Sequence, residues 1–383
     1  MNFLFFSFET YHQAFFDSSI GGRMWDNATM YLYVGVIVLV MLFGLFAEKS
    51  RKSSKTFWFV AATSVLSAIL GLRGKDVGAD TWQYIDTFDH ALDRSYWSYS
   101  TSEPGYHLLM QVLRAILPNS TVFLILISTL TVYFVFNTLW KNRNSINLLI
   151  AFSFYVGLFF FQALNLLRIY LAAAFVLWNY HYLIDKKYGK FALVVLLTSL
   201  IHYSTLVMLL PLGFLWLYQK TPKLALIAMV TLAVVAIQLT AQFGDIISIA
   251  RYAAYGESND SSRSVGIMLF FDYLPPFLFM YYALRNKIKG QWTDLLVSLT
   301  VTGFFIRLIA YFIAIAGRLG VHFMGLFVLV IPYFVVHMKQ NNRRLYRLTM
   351  VALMVYLVIR IHFYFIGYLT LDGIMPYNFY WNN

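Results

Sequence analysis

Cysteine is absent from the 383 residues of this chain. That excludes disulfides, a thiolate nucleophile and any cysteine-ligated metal. Charge is scarce: 12% of residues are charged, against about a quarter in an ordinary globular domain. An internal repeat, a low-complexity tract and a polar stretch long enough for a soluble domain are also missing. Neither a P-loop nor a dinucleotide fingerprint occurs. The opening residues, MNFLFFSFETYHQAFFDSS, lack a basic n-region and a small-residue cleavage site, so they do not read as an ordinary signal peptide. Their mixed aromatic and polar character suits an interfacial segment over 1–27.

What the chain does have is apolar surface: 60% hydrophobic residues and a mean hydropathy of +0.66. A core of this size cannot hide it all, and lipid is the solvent for the remainder. The expected fold is an all-α polytopic membrane protein, one membrane domain over 1–383. Apolar runs lie near 28–47, 56–72, 120–140, 146–164, 166–184, 190–203, 204–218, 224–242, 267–284, 292–316, 321–338 and 347–366. These predict about twelve transmembrane helices.

The net charge of +12 has no soluble basic domain behind it, so nucleic acid is not an expected partner. Short basic loops explain it instead, as topology signals on the cytoplasmic side. Examples are EKSRKSSK after the first run and the cluster Lys339, Arg343, Arg344 and Arg347. The other side then holds 73–119, 243–266, the linker near Arg318 and both termini. The alternation works only if the amphipathic EPGYHLLMQVLRAILP helix lies at the outer interface rather than crossing. The run KFALVVLLTSLIHYSTLVMLLPLGFLWLYQK is basic at both ends and must go in and return. Each arm has about fifteen residues, roughly 22 Å of helix against a hydrocarbon core of about 30 Å. A short tilted pair or a re-entrant hairpin fits, with His202 at its turn.

A charge within lipid costs about 2.5–3.5 kcal/mol on insertion scales, so each misplaced one asks for a reason. Arg168 and Arg307 sit inside apolar runs; Arg318 and Arg360 fall near outer ends; Arg251 and Arg263 lie in the second outer loop. Snorkelling or helix-end pairing is the plain explanation. Arginine also offers bidentate donors that match phosphate oxygens and does not shed its charge. A lipid-linked phosphate or pyrophosphate reaching the outer side is the natural ligand. A transporter for an anionic solute competes, but its paired broken helices are not evident.

The segment LRGKDVGADTWQYIDTF, 72–88, concentrates charge at the expected outer surface. Asp76 and Asp80 stand near Arg73 and Lys75, whereas Asp86, Asp89 and Asp93 read as solvated loop. The D-x-x-x-D spacing is too loose for a divalent-cation site. His202, His322 and His107 lie outside the basic loops, and a lone histidine in a span is ordinarily a packed hydrogen-bonding residue. The many aromatics serve as interfacial anchors, although those of RSYWSYSTSEPGY could stack on sugar rings.

LRGKDVGADTWQY, EPGYHLLMQVL, LNLLRIYLAAAFVLWNYHYL and LIHYSTLVMLL occur in an order that resembles the EpsG-like O-antigen and exopolysaccharide polymerases, the Wzy type. RLIAYF, 307–312, resembles the family's arginine-containing late span. The resemblance covers roughly 30–315, with one departure: the family's Gln after the helix arginine is Ile169 here. It implies a GT-C-like glycosyltransferase of the bacterial inner membrane that acts at the periplasmic face on undecaprenyl-pyrophosphate-linked oligosaccharides. Arg168 and Arg307 would hold pyrophosphate with Arg73 in support. Arg318, Tyr84, Tyr106, Asn165 and Tyr311 join them as substrate-binding candidates. Asp80, Glu103, Asp76 and His202 are the candidates to orient or deprotonate the acceptor hydroxyl. No cofactor or metal is called for; membrane lipids and a chain-length regulator protein are the expected partners. A lipid-linked sugar flippase or other transporter, an O-antigen ligase and an acyltransferase remain as alternatives.

Overall fold

The computed structural model describes residues 26–93, 95, 103–249, 267–310, 316–369 and 372–382. Residues 1–25 of the expected N-terminal interfacial segment, most of the second outer loop with Arg251 and Arg263, and Tyr311 therefore lie outside the described residues. Among these the regular structure is helical, with one isolated bridge between Arg73 and Phe379.

Three of the early helices start at a side-chain cap. Helix α1 (Asn27–Lys49) begins at Asp26, whose carboxylate accepts the Ala28 and Thr29 N–H groups. Helices α2 (Lys52–Gly71), α3 (Thr81–Asp89), α4 (Pro104–Ile116) and α5 (Ser120–Lys141) follow. Asn119 caps α5 in the same way, by accepting from Val122 N–H. Helix α6 (Leu148–Tyr155) is capped twice, by Asn147 on Ile150 N–H and by Glu48 on Leu148 N–H at 2.8 Å.

Among the described residues, six helices are long and apolar enough to cross a membrane: Asn27–Lys49, Ser54–Gly71, Ser120–Lys141, Gln291–Ile309, Gly317–Asn341 and Arg343–Ile366. The protein is thus a multi-pass helical chain. The expected count of about twelve is not reached on that criterion, and the middle of the chain shows why. The run 146–184 is interrupted: α6 passes into a π turn (Val156–Phe160) and a 3-10 turn (Phe161–Leu164) before α7 (Leu167–Trp178) and α8 (His181–Ile184). The arms around His202 are α9 (Tyr188–Ser199) and α10 (Leu209–Lys220), joined through a 3-10 turn, Tyr203–Met208. Each arm has 12 residues, about 18 Å of helix. Hydropathy registers apolar content but not where the backbone breaks. The remaining elements are α11 (Pro222–Ile249), α12 (Ile267–Arg285), α13 (Gln291–Ile309), α14 (Ala316–Asn341) and α15 (Arg343–Tyr368). Helix α11 runs past the expected end of its run at 242, and Arg318 lies within the first turn of α14 rather than in a linker.

The chain forms two compact units, Met1–Leu171 with Met338–Asn383, and Ala172–His337. In the first, α2 packs along α5, and α1 lies against α2 and α6. A Cβ on Gly44 would stand 2.9 Å from Phe152 Cβ and 3.2 Å from Leu149 Cα, so glycine lets α1 and α6 touch backbone to backbone. Phe59, Phe136 and Phe152 fill the space beside that contact in edge-to-face pairs. In the second unit α10 packs on α13, α11 and α9, and α12 packs on α13. Phe214, Ala225, Met229 and Val297 form a buried cluster there.

Candidate functional site

The charged stretch after α2 is folded down by the far end of the chain. Gly74 N–H donates to Asn378 O at 2.7 Å, Gly78 N–H to Gly373 O at 2.7 Å, Ala79 N–H to Asp372 O at 2.9 Å, and Tyr380 N–H returns to Leu72 O at 3.0 Å. Gly78 has φ +92°, and a Cβ there would lie 2.2 Å from Leu164 O. Only glycine permits that close approach. The tail is itself held by Tyr33, whose hydroxyl donates to Ile374 O, and by Tyr377, whose hydroxyl donates to Ile69 O at 2.9 Å.

Arg73 is spent within this clasp. It is 1% exposed; its Nε donates to Thr81 Oγ1 at 3.2 Å, and Nη1 donates to Leu70 O and to Ser128 Oγ. Nη2 has no hydrogen-bond partner. Burial lowers its guanidinium to about 10, with Tyr84, Tyr377 and Tyr33 nearby acting in the opposite sense, so it remains charged at neutral pH. This arginine ties α2, α3 and α5 together from inside the protein. Asp76 and Lys75 of the same turn are exposed.

Around Arg168 the first unit assembles most of the remaining candidates. Nη1 of Arg168 lies 3.0 Å from Glu103 Oε2, with side-chain exposures of 24% and 5%. The guanidinium also covers the Tyr106 ring at 4.6 Å. The backbone of Arg168, in the first turn of α7, meets the hydroxyl of Tyr84. Burial first, and then Asp80, push that phenol up to about 12, so Tyr84 keeps its proton at neutral pH. Asn165, just before α7, accepts Asp80 N–H at 2.9 Å and donates to Asp372 Oδ1 at 3.4 Å. Asp372 Oδ2 accepts the Tyr364 hydroxyl at 2.7 Å. Asp80, Tyr84, Glu103, Tyr106, Asn165 and Arg168 therefore stand together, three segments brought to one place. Ile169, the departure from the family pattern, is buried at 2% exposure and packs inward.

The second unit repeats the arginine–carboxylate theme. Arg307 Nη2 lies 3.3 Å from Asp272 Oδ2, and Nη1 donates to Gly317 O at 3.3 Å. Asp272 is 6% exposed. His202 is the N-cap of the 3-10 turn, where its Nδ1 accepts Ser204 N–H at 3.2 Å. Ser204 Oγ lies 2.8 Å from that nitrogen and 2.9 Å from Nε2 of His322.

Sequence reasoning missed Asp272, Asp372 and Tyr364. Asp272 carries the only visible signal, a carboxylate inside an apolar run. Nothing in linear order connects Asp372 with residues two hundred positions earlier.

These features define a multi-pass helical membrane protein in which Arg168 and Arg307 are each held by a buried carboxylate. The chain belongs to the EpsG family: the EpsG family model matches residues 55–379. The match extends beyond the stretch read from motifs and takes in the C-terminal clasp. No curated protein and no solved structure matches the chain.

Proposed function

We propose that this protein is a membrane glycosyltransferase that polymerises undecaprenyl-pyrophosphate-linked oligosaccharide repeat units into O-antigen or exopolysaccharide. It works at the periplasmic face of a bacterial inner membrane, in a GT-C-like fold of about twelve crossings, with a chain-length regulator as partner. EpsG membership supports a polysaccharide-polymerase type of membrane protein. The observation that carries the finer reading is the pair of carboxylate-held arginines, Arg168 on Glu103 and Arg307 on Asp272.

A guanidinium has five N–H donors, and one carboxylate oxygen engages few of them. The carboxylate fixes the planar group, and the remaining donors suit pyrophosphate oxygens. In the reaction the anomeric C–O bond to pyrophosphate breaks and the acceptor hydroxyl oxygen forms the new glycosidic bond. The hydroxyl proton passes to a base, and undecaprenyl pyrophosphate leaves. Charge grows on the leaving pyrophosphate in the transition state, which is where fixed cationic donors lower the barrier. Asp80 and Glu103 are the carboxylates beside Arg168 suited to receive the proton.

The test is reconstitution with lipid-linked repeat units and no nucleotide sugar. Arg168→Ala and Arg307→Ala should each lower polymer formation by about 100-fold or more. Removing one partner strands a buried carboxylate, which can cost about 3–5 kcal/mol. The neutral pairs Arg168→Gln/Glu103→Gln and Arg307→Gln/Asp272→Asn avoid that loss and should also be inactive. Long chains from either neutral pair would remove that arginine from the pyrophosphate.

A further inference from the structure

Helices α14 and α15 meet in a turn with four basic residues, Lys339, Arg343, Arg344 and Arg347, and neither helix contains a carboxylate. Lys339 pairs with Glu48 at 3.7 Å. The three arginines are exposed, and among the described residues none of them forms an ion pair. Arg343 and Arg344 occupy the first turn of α15, with no acidic residue there, where the helix dipole disfavours cations. A topology signal needs only charge. Lysine supplies most of it in the other short basic loops, as in Lys186, Lys187 and Lys190 or Lys220 and Lys223. Charge alone therefore leaves the choice of arginine, and its place on the helix, unexplained.

The arginine face continues down α15. At about 100° per residue, Arg344, Arg347, Leu348, Val351, Val355 and Val358 fall within an arc of about 100°. The four apolar residues are 53% to 67% exposed. Leu353, Tyr356 and Leu357, on the opposite side, are buried, and Leu357 packs beside Gly157 of the π turn. The exposed stripe thus turns away from the protein. From Leu348 to Val358 it rises about 15 Å, half of a hydrocarbon core of about 30 Å. That is the depth of one leaflet.

We propose that this face is a binding site for an anionic phospholipid, with the phosphodiester on Arg343, Arg344 and Arg347 and an acyl chain along the Leu348–Val358 stripe. Charge complementarity selects the headgroup. Guanidinium donors match phosphate oxygens, and a net anion offsets the unpaired cations, whereas a zwitterionic lipid brings a cation of its own. The lipid belongs to the leaflet at the α14–α15 turn, the cytoplasmic one in the orientation proposed above. The site needs neither polymer formation nor the arginine–carboxylate pairs.

Two measurements on full-length protein test this. The first is native mass spectrometry of protein in detergent, titrated with phosphatidylglycerol and with phosphatidylcholine. Wild type should hold phosphatidylglycerol about 10-fold more tightly than phosphatidylcholine. Arg343→Gln/Arg344→Gln/Arg347→Gln should lose about 10-fold or more in that affinity. Lys186→Gln/Lys187→Gln/Lys190→Gln, which removes the same charge elsewhere, should lose little. Equal losses in the two variants would reduce the effect to unspecific surface charge and overturn the site. The second is photo-crosslinking of wild type in lipid nanodiscs, with phospholipid analogues carrying a diazirine on the acyl chain. It needs no variant, so it stands even if removing the arginines disturbs insertion. The anionic analogue should label residues 348–358 several-fold more than the zwitterionic one. Equal labelling overturns the headgroup selection. Stronger displacement by a polyprenyl phosphate than by phosphatidylglycerol overturns the choice of lipid.

Discussion

Glu103 and Asp272 are each almost fully buried, and each meets an arginine that keeps roughly a quarter of its side chain accessible. That asymmetry matters more than the ion pair itself. A buried pair contributes little net stability once desolvation is counted, so its use is to fix a cation that still faces outward. His107 reports on the same environment. It lies in the first turn of α4, and burial above all lowers its pKa; Glu103 pulls the other way and Arg168 adds to the burial. Its folded value is below the unfolded value of about 6.5. The neutral ring's contribution to stability is therefore complete above about pH 6.5 and is lost as pH falls through the lower folded value. Thermal unfolding in detergent should show wild type losing more stability than His107→Gln between pH 7.5 and pH 5. Equal losses would mean that His107 is not the group responsible.

At the scale of elements, the arrangement depends on a loop and a tail rather than on long helices. The Gly74–Ala79 turn is built on backbone bonds to residues 372–378, and Asp372 passes through Asn165 to Asp80. Gly78 is the tightest point. An alanine there takes a positive φ and drives its Cβ into Leu164 O, costing about 2 kcal/mol or more. Gly78→Ala should lower the unfolding temperature and reduce polymer yield. Gly189→Ala, with nothing within 4 Å of the added Cβ, should leave both near wild type. The motif order led to the LRGKDVGAD turn and to EPGY, because each carries polar residues against an apolar background. It did not lead to the tail, since MPYNFYW has no comparable contrast and its role comes from backbone pairing.

At the scale of the whole molecule, the apolar surface is divided between protein and lipid. The spanning window of α14 is 78% buried and that of α15 only 28%. Val351 and Val358 of α15 stay 65% and 67% exposed. In a chain this apolar such faces belong against acyl chains. The orientation proposed above makes a direct prediction. Because the natural chain has no cysteine, single introduced cysteines report without background. Lys75→Cys should react with an impermeant maleimide added from the periplasmic side, and Lys187→Cys only after access to the cytoplasm. The reverse pattern would invert the topology and detach the site from the outer leaflet.

The sequence by itself determined the solvent, the helical class and the family resemblance, because hydropathy, charge spacing and motif order are properties of the linear chain. It also singled out Arg168 and Arg307, since a charge in an apolar run has an energetic cost that is visible without coordinates. Tertiary structure decided what those charges meet. Glu103 comes to Arg168, Asp272 to Arg307, and His322 to Ser204 through contacts that span tens to more than a hundred positions. It also turned Arg73 inward, into a clasp closed by the C-terminal tail. Which residues face each other depends on packing and on backbone breaks, and neither is written in local composition.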